Sequence, residues 1–368
     1  MKVSLSRDAL HAATKMAASI ADPRSPLPYF HQTHVSGGEE IGVKVQAVDQ
    51  STSASVTLMA TGKSAGGFVV DSKLLHEVVS LCSGDVVTLE TSVSSVIVSY
   101  GKSKVTLPTV PDKGYPALHA AGDEPVKVGV DELADALRKV IFVAEADSSS
   151  GSIGSVVRLT CADGKLSAHV AETRRIAYAS TSGAHGKGFP EASISRKGAT
   201  AILRALEASE EEDCELSVSR EAIAVHVGPV LTRTSIGAKV LASQFVPWRR
   251  VIEGDGQIFR VDVAELGGAV ARAMMFTTTD QKVNLRVVGK FLQVDRTGIA
   301  GDAMTVIDLE KAVESTEIML NGRYIREALA VIGTDDVEVQ LRGSLLPAVL
   351  RPTDGSDQIL VIAAMDNK

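Results

Sequence analysis

The sequence predicts an α+β chain made of three tandem modules, each with two helices packed on antiparallel sheets. Three recurrences predict it. A capped helix with one apolar register occurs in "VVDSKLLHEVVSLC", "SISRKGATAILRAL" and "MLNGRYIREALAVI". A strand running into a helix occurs upstream of each, in "VSLSRDALHAATKMA", "VGVDELADALRKV" and "VDVAELGGAVARA". A pair of alternating strands follows each capped helix, as in "VVTLETSVSSVIVSYG", "CELSVSREAIAVHVG" and "VEVQLRGSLLPAVLR".

In the capped helices the expected N-caps are Asp71, Ser195 and Asn321, whose side-chain oxygens can accept from the free N–H groups of a first turn. Leu75, Val78, Val79 and Cys82 follow the first cap at i, i+3, i+4 and i+7 spacing. The second cap is followed in the same register by Ala199, Ile202, Leu203 and Leu206, and the third by Ile325, Ala328, Leu329 and Ile332. The upstream helices carry Leu10, Ala13, Thr14 and Ala17; Leu133, Ala136, Leu137 and Val140; and Leu266, Ala269, Val270 and Ala273. Each set is one half-buried face, broken only by Thr14.

A length of 368 residues is long for a single core and fits two or three domains. The 45% hydrophobic and 23% charged content is that of a soluble globular protein, and only 4% aromatic content calls for cores of Val, Leu, Ile and Ala. The N-terminal stretch carries Arg7, Asp8 and Lys15 without a long apolar run, so neither a secretory leader nor a membrane span is expected, and the cytoplasm is the expected compartment. Cys82, Cys161 and Cys214 are odd in number and far apart, which argues for reduced buried thiols over a disulfide framework or a zinc site.

Module ends are marked by an aromatic residue beside proline. Tyr115-Pro116 lies in "KGYPALHAAG", and Phe245 to Trp248 in "SQFVPWRRVIEG", which holds the sole tryptophan. The expected modules are 1–122, 123–253 and 254–368. Trp248 is expected to pack at a seam, because a lone aromatic offers no stacking series for bases.

Net charge is −7, yet the positions of the cations matter more than their sum. On a helical wheel the residue two past each cap faces away from the apolar stripe. Lys73, Lys197 and Arg323 stand there, with Arg204 and Arg326 on the same side. Lys15, Arg138, Lys139 and Arg272 point outward from the upstream helices. If modules join edge to edge with helices on one side, the result is a concave cationic surface for a polyanion held by its phosphates without base reading. The acidic run Glu207 to Asp213 reads as a solvated rim.

These residues resemble the beta subunit of bacterial DNA polymerase III, the DNA sliding clamp family, over essentially the whole chain. The resemblance is carried by "GKSKVTLPTVPDKGYPAL", "SRKGATAILRALE", "HVGPVLTRTSIGAKVLASQFVPWRRVIE", "AVARAMMF", "LNGRYIREAL" and the terminal "ILVIAAM". It implies three clamp-type domains forming half of a ring, a head-to-tail homodimer around double-stranded DNA, and no catalysis. It also implies DNA polymerase and clamp-loader subunits as partners, bound through short peptide motifs. By position it assigns Arg24, Lys73, Arg196 and Lys197 to the DNA-facing surface, which the helical wheel extends to Arg138, Arg204, Arg272 and Arg323. It places Val105 and Leu107 on an edge strand that meets Met275 and Phe276 of a second copy. The client-peptide cleft it implies comprises Arg175, Ile176, Arg250, Val251, Asn321, Tyr324, Leu345, Pro347, Val361, Ile362 and Met365.

The departures from the family fall where partners touch. "AETRRIA" is one residue short and lacks a Gly-His ahead of the arginine; "AAMDNK" lacks the usual proline and basic residue; an aromatic expected near Gln281 is absent. A shifted peptide preference follows, and a divergent paralogue acting as a protein scaffold or decoy is the alternative function. An enzyme needs a convergent constellation, and the sequence offers none: His31 and His34 lie in a Pro-rich segment without a third ligand. "GSIGS" at 151–155 precedes a strand rather than a helix, so it is not read as a phosphate loop, and no metal or cofactor is expected.

Overall fold

The structure is a computed structural model, and it describes residues 1–38, 42–122, 124–145, 156–243, 247–277 and 279–366. Phe245 and the "GSIGS" stretch lie outside the described residues. Six α-helices are present among them: α1 (Arg7–Ile20), α2 (Ser72–Ser80), α3 (Val130–Ile141), α4 (Arg196–Glu207), α5 (Val263–Met274) and α6 (Gly322–Leu329).

These are the helices that the recurrences predict, and the caps are made as expected. The Asp71 carboxylate accepts from the N–H of Leu74 at 2.8 Å, the Ser195 hydroxyl from Gly198 at 3.0 Å, and the Asn321 amide oxygen from Arg323 at 2.9 Å and Tyr324 at 3.2 Å. All the stripe positions are buried except Val78, which is half-buried. Thr14, the one polar member, lies in the core with its hydroxyl 3.1 Å from the His11 carbonyl and 3.3 Å from Nδ1 of His76. A buried hydroxyl satisfied in this way costs little.

Two compact units emerge. One comprises Met1–Ala134, Cys161–Gly164 and Gly183–Leu241; the other comprises Asp135–Thr160, Lys165–Ser182 and Ala242–Lys368. In the first, a five-stranded antiparallel sheet runs Thr61–Lys63, Lys2–Ser6, Val86–Thr91, Ser95–Tyr100, Ser103–Pro108, which leaves Ser103–Pro108 as an edge. An eight-stranded antiparallel sheet runs Val126–Gly129, Asp213–Val218, Ala222–Val227, Thr234–Lys239, Thr52–Met59, Gly42–Val48, Gln32–Gly37, Gly66–Asp71. Its middle pairing joins strands from residues 1–122 and 123–253, with Ile236 opposite Ala54. Helices α1 and α2 pack on one another, and α4 packs on Thr234–Lys239.

In the second unit, strands run Lys165–Ala171, Arg175–Ser182, Gln358–Ile362, Ala348–Pro352, Asp336–Leu341, Gln257–Asp262. A long hairpin, Lys282–Gly298 with Gly301–Asn321, backs α5 and breaks register around Gly289. The three cysteines are buried and free, and burial raises each thiol's pKa, that of Cys214 to about 12. Such thiols are inert packing groups.

Candidate nucleic-acid surface and peptide cleft

Most of the expected DNA-facing cations are exposed. Arg24 projects from the "DPRSPLP" loop with its side chain 94% exposed, its N–H held by the Asp22 carboxylate at 3.0 Å. Lys15, Arg138, Arg204, Arg272 and Arg326 are exposed on their helices, and Arg196 is half-buried. Lys73 is 83% exposed and sits 3.8 Å from Glu77 one turn away. Arg323 bonds Glu327 at 2.6 Å, also one turn on, and Arg138 lies 3.8 Å from Asp135. Pairs of this kind in water are weak, so they dampen these cations without removing them.

Lys197 departs from the expected outward pose. Its side chain is 28% exposed and its ammonium is bonded to the Asp49 carboxylate and to the Ile20 carbonyl. The wheel places its Cα correctly, but a four-carbon stem lets the charge fold back to an acceptor.

The expected cleft residues gather at one end of the second unit's sheet. Arg175 pairs with Ile362 and Ile176 with Val361 across adjacent antiparallel strands. The Ala363 N–H donates to the Arg174 carbonyl at 2.8 Å, and the Met365 N–H to the Met319 carbonyl at 2.8 Å, which fixes the terminal segment beside the hairpin. Because strand neighbours point to opposite faces, the site has two sides. On one, Ile176 and Val361 meet Trp248, Tyr178, Val349 and Ile359. On the other, Arg175 reaches α6: its guanidinium stacks 4.1 Å from the Tyr324 ring centroid, bonds Glu327 at 2.5 Å and also holds Glu172.

Trp248 is 2% exposed, so it is core and no ligand platform; it is wedged between residues on both sides of position 254. Tyr178 packs 5.1 Å from it and His169 6.2 Å from it, centroid to centroid. The guanidinium of Arg249 lies 4.8 Å above the Trp248 ring and 4.8 Å from the Tyr178 ring centroid. Arg250 is exposed, and Val251 is 40% exposed with its carbonyl held by Arg342 at 2.6 Å. Arg342 also bonds the carbonyls of Glu253 and Pro347, so one guanidinium ties the Trp248 turn to the Leu345–Pro347 loop. Leu345 is exposed at the rim, while Asn321 spends its amide oxygen on the α6 cap.

Val361 and Ile362 are almost fully buried, and Ile176 nearly so. Of the other expected cleft residues, Arg250, Val251 and Leu345 are exposed, and Tyr324, Pro347 and Met365 are half-buried. Sequence reasoning missed Glu172, Glu327 and Arg342, which hold the arginine and the loops in place. The i, i+4 spacing of Arg323 and Glu327 was the only signal for any of them.

At the expected joint, Val105 is half-buried on the Ser103–Pro108 edge strand, and Met275 is exposed after α5. Leu107 is buried in its own sheet, against the expectation of a side chain available at the joint. Phe276 packs against Gly298 and Gly301 at the hairpin turn. The His31 and His34 pair disperses: His31 Nε2 bonds the Ser25 carbonyl at 2.6 Å, and His34 faces Asp112 and Tyr115.

Residues 1–119 match the model of the DNA polymerase III beta subunit, N-terminal domain, and residues 250–366 match that of the same subunit's C-terminal domain. Together these cover more than half of the chain. Among curated proteins, the beta sliding clamp of Synechococcus elongatus is 25% identical over 324 residues, covering 84% of each chain. That of Pseudomonas aeruginosa is 20% identical over 372 residues, covering 99% of this chain and all of the other. The crystal structure of the DNA polymerase III beta subunit from Thermotoga maritima superposes with a TM-score of 0.92 at 17% identity over both full chains. The Caulobacter crescentus sliding clamp gives a TM-score of 0.89 at 21% identity, again over both full chains. At these identities the structural likeness is one of fold: helices on antiparallel sheets in the clamp arrangement.

Proposed function

The chain belongs to the DNA polymerase III beta subunit family, and from that premise we propose that it is a DNA sliding clamp. It is the non-catalytic processivity subunit: two copies close head to tail around double-stranded DNA and tether DNA polymerase and clamp-loader subunits by short peptides. The division into modules 1–122, 123–253 and 254–368 and a cytoplasmic setting belong to this reading. Among the described residues no helix is long and apolar enough to cross a membrane.

The observation that carries the proposal is the repetition of exposed cations opposite the buried stripes of the helices: Lys15, Lys73, Arg138, Arg204, Arg272 and Arg323. Spaced single charges suit a loosely held duplex, because each phosphate contact is weak, independent of sequence and exchangeable. We assign Arg24, Lys73, Arg138, Arg196, Arg204, Arg272 and Arg323 to DNA. The client cleft is assigned to the exposed face of Tyr324, Arg250, Val251, Leu345, Pro347 and Met365. Arg175, Ile176, Asn321, Val361 and Ile362 support it from beneath. Dimer contacts are assigned to the Ser103–Pro108 edge with Val105, and to Met275 and Phe276 of the other copy. Pairing that exposed edge with a second copy removes an aggregation hazard.

The test is topological. Loaded by a clamp loader onto a nicked circular duplex, the protein should stay bound in salt that strips ordinary phosphate contacts, and should leave when the circle is linearised. Loss from the intact circle at high salt would contradict encirclement and favour the scaffold or decoy alternative, for which no feature of the chain speaks.

A further inference from the structure

Lys197 occupies in α4 the register that Lys73 occupies in α2 and Arg323 in α6, yet its charge is used differently. Its ammonium donates to the carbonyl of Ile20, the last residue of α1, at 2.6 Å, and to one oxygen of Asp49. The other Asp49 oxygen accepts from the N–H groups of Ser51 at 2.8 Å and Thr52 at 2.6 Å. The Asp49 side chain is 8% exposed, so burying its charge is costly without a fixed cation beside it. The Ile20 carbonyl is one of those that the end of a helix leaves without an intrahelical partner.

The first turn of a helix is also an unfavourable place for a cation, since its N–H groups present partial positive charge. Asp49 offsets that. Immediately after Lys197, a methyl on Gly198 would come within 2.8 Å of the Ala238 side chain, so the start of α4 is pressed onto the sheet. Swinging the ammonium out to a phosphate would leave a buried carboxylate and a buried carbonyl without their partner, whereas Lys73 gives up only a long contact in water.

We propose that Lys197 is a positioning residue and no phosphate contact: it locks the end of α1 and the Asp49 turn to the first turn of α4. In doing so it fixes the spacing of the helices that carry the DNA-facing cations. The assignment rests on the clamp reading.

The experiment is lysine footprinting of the wild-type full chain. Acetylation rates are read by peptide mass spectrometry with and without a duplex at low salt. Lys73 should label fast and be protected by DNA. Lys197 should label several-fold more slowly and show the same rate with DNA present. Labelling of Lys197 as fast as Lys73, with protection by DNA, would overturn the assignment. If no lysine is protected, the clamp reading itself fails, which is a separate outcome.

The isosteric Asp49→Asn variant gives the second arm. It keeps the turn's acceptor and frees the ammonium, so the slope of log K against log salt for duplex binding should steepen by about 0.9. Asp49→Asn combined with Lys197→Met should return it to the wild-type slope. A slope in Asp49→Asn equal to that of the wild type would overturn the proposal.

Discussion

Acid should loosen the unit behind the cleft through one imidazole. His169 is buried beside Trp248; burial first, then repulsion from Arg158 and Arg249, lowers its pKa from 6.5 to about 4. The unfolded chain therefore binds a proton that the folded chain refuses. Stability supplied by neutral His169 is fully present above pH 6.5 and is lost as pH falls toward 4. Linkage puts the loss at about 1 kcal/mol at pH 6 and about 2 kcal/mol at pH 5, relative to pH 7. Other groups titrate over the same range, so the readout is a difference between wild type and His169→Gln. Urea unfolding followed by the emission of Trp248, the only tryptophan, gives both stabilities. The wild type's advantage should shrink by about 2 kcal/mol between pH 7 and pH 5. A difference that stays constant across that range would refute a buried, neutral His169.

Two further perturbations separate cleft from joint. Tyr324→Ala removes the ring beneath Arg175 and should weaken a client peptide about tenfold or more, as truncation of a buried aromatic anchor does. Fluorescence polarisation with a labelled peptide reads it, and unchanged affinity would move the peptide elsewhere. Val105→Arg or Met275→Glu should shift the sedimentation mass from dimer to monomer while leaving the peptide affinity intact; a dimer retained by both would place the joint elsewhere.

The helices were legible because their evidence is local. A cap and an apolar stripe lie within a dozen residues of each other, and burial of Leu10, Leu133, Leu266 and their partners follows from spacing alone. The cleft was legible only as a set of positions. Which of them face outward depends on pairings across long separations, such as Ile176 with Val361. Charges were the least legible. Lys197 is turned in by Asp49, 148 residues away, and Arg175 by Glu327, 152 residues away. No wheel drawn on one helix contains its distant counter-ion. The number of modules was read from repetition, whereas contacts group the residues into two units, because Thr234–Lys239 completes a sheet begun by Thr52–Met59.

That shared pairing has a mechanical consequence. Where two segments meet only by side chains, they can part along the contact and re-form it; where they meet by a ladder of backbone hydrogen bonds, separation exposes donors and acceptors all along the tear. The first unit therefore has no cheap line of fracture through its middle. Amide exchange along Thr52–Met59 and Thr234–Lys239 should be slow and of one common rate, and any breathing of the protein has to be sought away from that sheet.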